Sequence, residues 1–234
     1  GEIMTLRAIF AFTPILFIAW RSGGRSSLRI RNFHAQAARA LCFAGAGFLW
    51  LLGLRYLPLT DAMSISFAAP IIITALAPFV LGENVGWRRW AAVLTGFCGV
   101  LLMIKPTGEG LRLAAFLPLA AVAGAVGRDL ITRRIASTES SVATLAFTTG
   151  VIGASGLVTL PFGWVMPNTM DWLIIAGAGI FYGTAHFLYI DAMRLAEAAV
   201  VIPFKYSNIL WAALLGFIIW GDVPGLSVIA GTVL

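Results

Sequence analysis

The chain has 234 residues, 60% of them hydrophobic and 11% charged, against about 25% charged in an average soluble domain. With a mean hydropathy of +0.93 and apolar runs recurring from end to end, this composition excludes a water-soluble globule and reads as a polytopic integral membrane protein. Sixteen Lys and Arg against ten Asp and Glu leave a formal charge of +6, but these bases punctuate apolar runs, so they set topology and do not mark a nucleic-acid footprint.

In chain order the apolar segments cover residues 3–20, 40–56, 62–81, 90–104, 113–127, 142–160, 172–190 and 198–220, with a stub from 226. The expectation is eight spans and a ninth cut short. A spanning helix needs about 20 residues, so the segments ending at Ile104 and Gly127 must borrow flanking residues. The runs are continuously apolar, whereas barrel strands alternate in pieces of about ten residues. The expected fold class is therefore all-α, a transmembrane helical bundle. Cys42 and Cys98 lie inside apolar segments and read as free core thiols. The chain opens on Gly1-Glu2-Ile3 without a signal peptide and closes within an apolar run, which reads as a fragment.

Basic residues in the connections give an orientation. Arg21, Arg25, Arg29, Arg31 and Arg39, then Arg88 and Arg89, then Arg128, Arg133 and Arg134, then Arg194 place eleven bases in alternate loops. The intervening loops hold Arg55, Lys105 and Arg112, and the loop over 161–171 holds none. The positive-inside rule makes the eleven-bearing side cytoplasmic, in a cell (inner or plasma) membrane. Arg7 and Lys205 lie inside apolar segments, and topology does not explain them.

Residues 54–86 can be laid on 193–225 with an offset of 139. Each copy reads as a helix end with Arg, a short loop, a polar-flecked apolar helix, then Gly and a carboxylate. Five helices separate equivalent positions, and an odd number inverts the second copy relative to the first, a pattern found in transporters. The charge count agrees, with Arg55 outside and its mate Arg194 inside.

The stretches Arg55-Tyr56-Leu57-Pro58-Leu59-Thr60-Asp61-Ala62, Ala69-Pro70 before Leu81-Gly82-Glu83, and Ile202-Pro203-Phe204-Lys205-Tyr206 before Trp220-Gly221-Asp222-Val223-Pro224 resemble the drug/metabolite transporter superfamily, EamA type. The resemblance covers essentially the whole chain. It implies a ten-helix inverted-repeat (5+5) transporter fold with both termini cytoplasmic, the first helix missing here and the last truncated. Residues 1–105 would then be a first repeat (helices two to five), and residues 106–234 a second (helices six to ten). Members with this fold export amino acids, nucleobases, drugs and phosphorylated metabolites, so the resemblance leaves the substrate open.

Lys205 is the sharpest functional signal. It sits about 12 Å beyond Glu197, at about 1.5 Å per residue, well inside the hydrocarbon. A lysine at the bilayer centre costs about 2.5–3.5 kcal/mol on insertion scales, so it faces a cavity or a partner. Substrate or coupling-ion contact competes with a structural ion pair or a snorkelling side chain. A continuous helix would put Glu197, Lys205 and Asn208 within an arc of about 80°, with Pro203 loosening the backbone. On the preceding helix Tyr182, His186 and Tyr189 share an arc of about 60°, and this is the partner face expected for Lys205. His186, with Glu197, is the candidate for proton coupling. A neutral hydrogen-bonding histidine between helices is the competing reading.

Thr144, Thr148, Ser155 and Thr159 form a softer stripe whose hydroxyls are expected to bond their own backbone or a neighbouring helix. Gly150, Gly153, Gly156, Gly177, Gly179 and Gly183 read as small residues that let helices approach. Arg7, with Glu2 nearby, pairs or snorkels, and Phe48 and Trp50 read as core or lipid contacts. Glu83 and Asp222 close their helices at water level and shape loops.

The histidines are 152 positions apart, and neither Cys-x-x-Cys nor Gly-x-x-x-x-Gly-Lys occurs, so zinc, redox and nucleotide-hydrolysis chemistry lack their parts. No metal, no cofactor and no catalytic residue are expected. The reading is an alternating-access secondary transporter of small organic metabolites. Lys205 supplies positive charge, Tyr206, Asn208, Tyr182 and Tyr189 supply hydrogen bonds, and an anionic or zwitterionic substrate is favoured. Its partners are that small molecule and the lipid bilayer, with a homodimer left open. A membrane enzyme acting on lipid-borne groups and a non-transporting regulatory subunit are the alternatives.

Overall fold

The computed structural model describes residues 1–57, 59–104 and 113–221. Its helices are α1 (Glu2–Arg21), α2 (Phe33–Gly53), α3 (Leu59–Ser66), α4 (Ala69–Leu81), α5 (Trp87–Ile104), α6 (Phe116–Ile135), α7 (Ser141–Leu157), α8 (Thr169–Leu195), α9 (Ala198–Val201) and α10 (Ser207–Trp220), with a tighter 3-10 turn over Ile202–Tyr206. Among the described residues there is no strand. Five segments are long and apolar enough to cross a membrane by length and composition: Glu2–Arg21, Phe33–Gly53, Asp61–Leu81, Thr169–Leu195 and Ala198–Ile219. The protein is a helical membrane bundle, and Trp20, Phe79, Trp87 and Phe181 stand exposed as lipid-facing side chains do. Cys98 is also exposed, which corrects its reading as a core thiol; Cys42 is half-buried, and both thiols are free.

Two of the expected spans are broken. Pro70 lies in the first turn of α4, and Pro203 lies at the start of the 3-10 turn. Each proline lacks the N–H that would continue the preceding helix and crowds the carbonyl four residues back. The chain therefore breaks at Phe67–Ala68 and tightens over Ile202–Tyr206. A 3-10 turn has about 3.0 residues per turn instead of 3.6, so the single arc expected for Glu197, Lys205 and Asn208 does not hold.

The chain divides into two compact units, and it passes from one to the other inside α2, inside α6 and after α8. The first unit comprises Gly1–Ala44 and Ile131–Leu195. Here α1 packs against α7 and α8 around Ile15, Ala19, Val142, Leu145 and Ile190. Glycines set the approach. A Cβ added at Gly179 would lie 2.6 Å from Phe10 Cβ, one at Gly183 2.8 Å from the Ala11 carbonyl, and one at Gly153 3.2 Å from Ala8 Cβ. Thr5 donates to the Gly153 carbonyl at 2.9 Å in the same groove. Gly177, by contrast, has nothing within 4 Å and does not serve helix approach.

Arg39 is no loop residue. It lies inside α2, fully buried, and donates from Nε to Thr132 at 2.6 Å and from a terminal nitrogen to the Thr148 hydroxyl. Beside it Gln36 donates to Thr144 at 2.7 Å, and Glu139 accepts the backbone N–H groups of Arg31 and Asn32 at 2.9 and 2.6 Å. These polar partners let α2 begin at Phe33 instead of at residue 40, and they account for Thr144 and Thr148. Ser155 and Thr159 donate to carbonyls of their own chain three residues back, at 2.8 Å each, as expected.

The second unit comprises Gly45–Leu130 and Ala196–Leu234. In it α4 packs on α9 and on the 3-10 turn, and α5 packs on the same turn. Glu83 is buried. Its carboxylate accepts the N–H groups of Ala198 and Ala199 at 3.0 and 3.3 Å, satisfying donors that the start of a helix leaves open. Asp222, Lys105, Arg112 and the stub from 226 lie outside the described residues.

Candidate functional site

In the second unit the site is built on the interrupted helix. Lys205 rides the 3-10 turn, and its ammonium meets Asp129 Oδ2 at 2.5 Å. The other carboxylate oxygen takes Arg128, with Nε at 2.8 Å and a terminal nitrogen at 2.6 Å. Asp129 has no exposed side-chain surface, while Arg128 and Lys205 retain 11% and 25%. Two cations thus close on one buried carboxylate, an arrangement in which each charge has a partner and none is left to bear its desolvation alone.

The next residue completes the break. Tyr206 donates its hydroxyl to the Phe67 carbonyl at 3.1 Å, a group freed where α3 stops. Gly96 of α5 makes room for that ring, because a Cβ there would lie 2.5 Å from Tyr206 Cδ2. Asn208 is exposed one residue into α10. Glu197, directly before α9, pairs with Arg89 at the start of α5.

In the first unit Tyr182, His186 and Tyr189 form the ring ladder their spacing implies. Centroids lie 5.5 Å apart for Tyr182 and His186 and 6.3 Å apart for His186 and Tyr189. Phe43 of α2 stacks on His186 at 5.5 Å with 21° between the planes. Arg7 stands over the Tyr182 ring at 4.1 Å from its centroid, a cation–π contact. It also lines a cavity of about 460 Å³ with Glu2, Asp171 and Ile174.

Lys205 is expected against the Tyr182, His186 and Tyr189 face; within the second unit it pairs with Asp129. A carboxylate satisfies a buried ammonium better than neutral hydroxyls do. Asp129 escaped notice because Arg128-Asp129 looks like the loop after a segment ending at Gly127. The signal was the shortness of that segment: extending it to spanning length carries Asp129 into the helix. Arg128, Arg133 and Arg134 likewise lie within α6, not in a connection.

Comparison with known proteins places this geometry. Residues 1–105 and 113–234 match the EamA-like transporter family. The chain belongs to that family. Among its relatives, a riboflavin transporter of Vibrio cholerae is 29% identical over 204 residues, covering 86% of this chain and 68% of the relative. An S-adenosylmethionine uptake transporter of Rickettsia prowazekii is 27% identical over 238 residues, covering 100% and 79%. A pseudopaline exporter of Pseudomonas aeruginosa is 23% identical, covering 100% and 82%. A crystal structure superposes with a TM-score of 0.87 at 17% identity, covering 99% of this chain and 82% of that one. As a family member, the chain is a multi-pass membrane transporter of small metabolites, and neither the lipid-enzyme nor the regulatory-subunit reading gains support.

Proposed function

We propose that the protein carries an anionic or zwitterionic metabolite across the plasma membrane by alternating access, with its Arg-rich loops cytoplasmic. The observation that carries this reading is Lys205, an ionisable side chain held on a broken membrane helix among other charges. Such residues mark substrate or ion pathways, and discontinuous helices place polar backbone where a ligand passes. The substrate contacts proposed are Lys205, Tyr206 and Asn208 in the second unit and Tyr182, His186 and Tyr189 in the first. His186 and Glu197 are the proposed proton-coupling groups. The relatives named for riboflavin, S-adenosylmethionine and pseudopaline support a small-metabolite substrate.

The architecture proposed is ten helices in two inverted repeats, residues 1–105 and 106–234. Its support is the recurrence of helix bounds at the offset of 139: Glu2 and Ser141 begin α1 and α7, Leu59 and Ala198 begin the two broken spans, and Leu81 and Trp220 end them. In that architecture the described spans would be helices two to nine.

The test is uptake into proteoliposomes holding the complete protein, with labelled amino acids, organic acids, nucleosides, flavins and phosphorylated metabolites. Saturable uptake of one class, lost in Lys205→Met while the protein stays folded, supports the reading. Unaltered uptake by Lys205→Met removes Lys205 from the substrate path.

A further inference from the structure

The members of the Asp129 cluster are not equally anchored. Asp129 and Arg128 are neighbours on one continuous helix, joined through two nitrogens of the guanidinium. Lys205 approaches from a separate element, the 3-10 turn between α9 and α10, and it meets the second oxygen. If Lys205 leaves, Asp129 keeps Arg128 and no carboxylate is left buried alone. A plain two-residue ion pair lacks that property, since separating it strands both charges.

We propose that Asp129 is a resident counter-ion: it occupies the place on the Lys205 ammonium that an anionic group of the substrate, a carboxylate or a phosphate, takes during transport. Asp129 is then a positioning residue. It holds Lys205 charged and aimed in the absence of substrate, and Arg128 retains it when the substrate anion takes over. The cycle exchanges one anion for another on a single ammonium, so the membrane interior never holds an uncompensated lysine. This inference rests on the carrier reading of Lys205.

The experiment asks for the anion seat without requiring transport. The complete protein carrying Asp129→Ala, and separately Asp129→Asn, is purified in detergent and its thermal midpoint is followed against sodium formate, with sodium chloride at equal ionic strength as reference. Formate is the smallest carboxylate and fits the place the aspartate vacates. Both variants are expected to show a saturable upward shift with a half-saturating concentration about tenfold below that of the wild-type protein, where Asp129 competes. Adding Lys205→Met, which leaves Arg128 to hold the anion, is expected to weaken the response by about a further tenfold or more. If the variants fold only when formate is present during purification, that rescue supports the seat equally. Absence of a formate response, the same response in the Lys205→Met background, or a failure to fold that formate does not repair would overturn the proposal and leave Asp129 a structural partner. A protein that binds formate in this way yet moves no substrate keeps the seat and loses the carrier reading, so the two failures are distinguishable.

Discussion

Tyr206 donates its hydroxyl to the carbonyl of Phe67 at 3.1 Å, with ring centroids 6.1 Å apart, and the two residues are 139 positions apart, the offset of the proposed repeats. Each lies where its own apolar span loses α-helical geometry. The bond therefore joins the two helix breaks to each other and satisfies a carbonyl that lipid cannot.

Removing that hydroxyl is expected to tell. Tyr206→Phe keeps the ring against Gly96 and leaves the Phe67 carbonyl without its donor, a loss of about 1–3 kcal/mol for a buried group. Gly96→Ala pushes on the ring from the other side and is expected to cost at least as much. Thermal unfolding of the complete protein in detergent, read by the same method for both variants, checks this; an unchanged midpoint in Tyr206→Phe would show that the bond contributes nothing.

Arg39 is predicted to be a structural charge. Arg39→Ala strips Thr132 and Thr148 of their donor deep in the first unit and is expected to destabilise by about 3 kcal/mol or more, within the range for breaking buried charged networks. Arg39→Lys restores the charge but not the forked geometry that reaches both hydroxyls, and is expected to recover only part of the loss. Yield of folded protein and melting midpoint are the measurements.

The glycines of α8 should divide sharply. Gly183→Ala puts a methyl group against the Ala11 backbone and is expected to lower the melting midpoint, because backbone cannot step aside as a side chain can. Gly177→Ala meets open space and is expected to be neutral or to stabilise by up to about 1 kcal/mol through helix propensity. Equal effects at the two positions would contradict the packing described for α1.

Proton coupling through His186 predicts that an imposed pH gradient accelerates net uptake by the wild-type protein. In His186→Gln the acceleration should vanish while exchange at equal pH persists. Glu197→Gln, which also loses its ion pair with Arg89, distinguishes the two candidates: retention of the gradient response there, with loss in His186→Gln, assigns coupling to the histidine. A response that survives both substitutions would place coupling elsewhere.

What sequence reveals here follows from where charges find partners. The apolar segments stood out because lipid demands about 20 apolar residues regardless of tertiary context, and each of the eight segments falls on described helix. The Thr and Gly stripes on α7 were also legible, since their spacing places them on one face. Arg39 and Asp129 were not. A charged residue beside an apolar run reads as the end of a helix, and only its partners reverse that reading. Those partners lie far along the chain, Thr148 for Arg39 and Lys205 for Asp129. The same holds for Glu83, whose role as a cap depends on Ala198 and Ala199 in a distant segment. The loosening at Pro203 was readable as local chemistry, but the break at Pro70 and the bond between the two breaks were not.

The most direct test of the carrier account is trans-stimulation. Proteoliposomes of the complete protein are preloaded with an unlabelled substrate found in the uptake panel, and entry of the labelled compound is compared with that into empty vesicles. Alternating access predicts faster, saturable entry into preloaded vesicles, and loss of that entry in Lys205→Met protein that unfolds at a normal temperature. Entry that neither saturates nor responds to preloading would contradict the account.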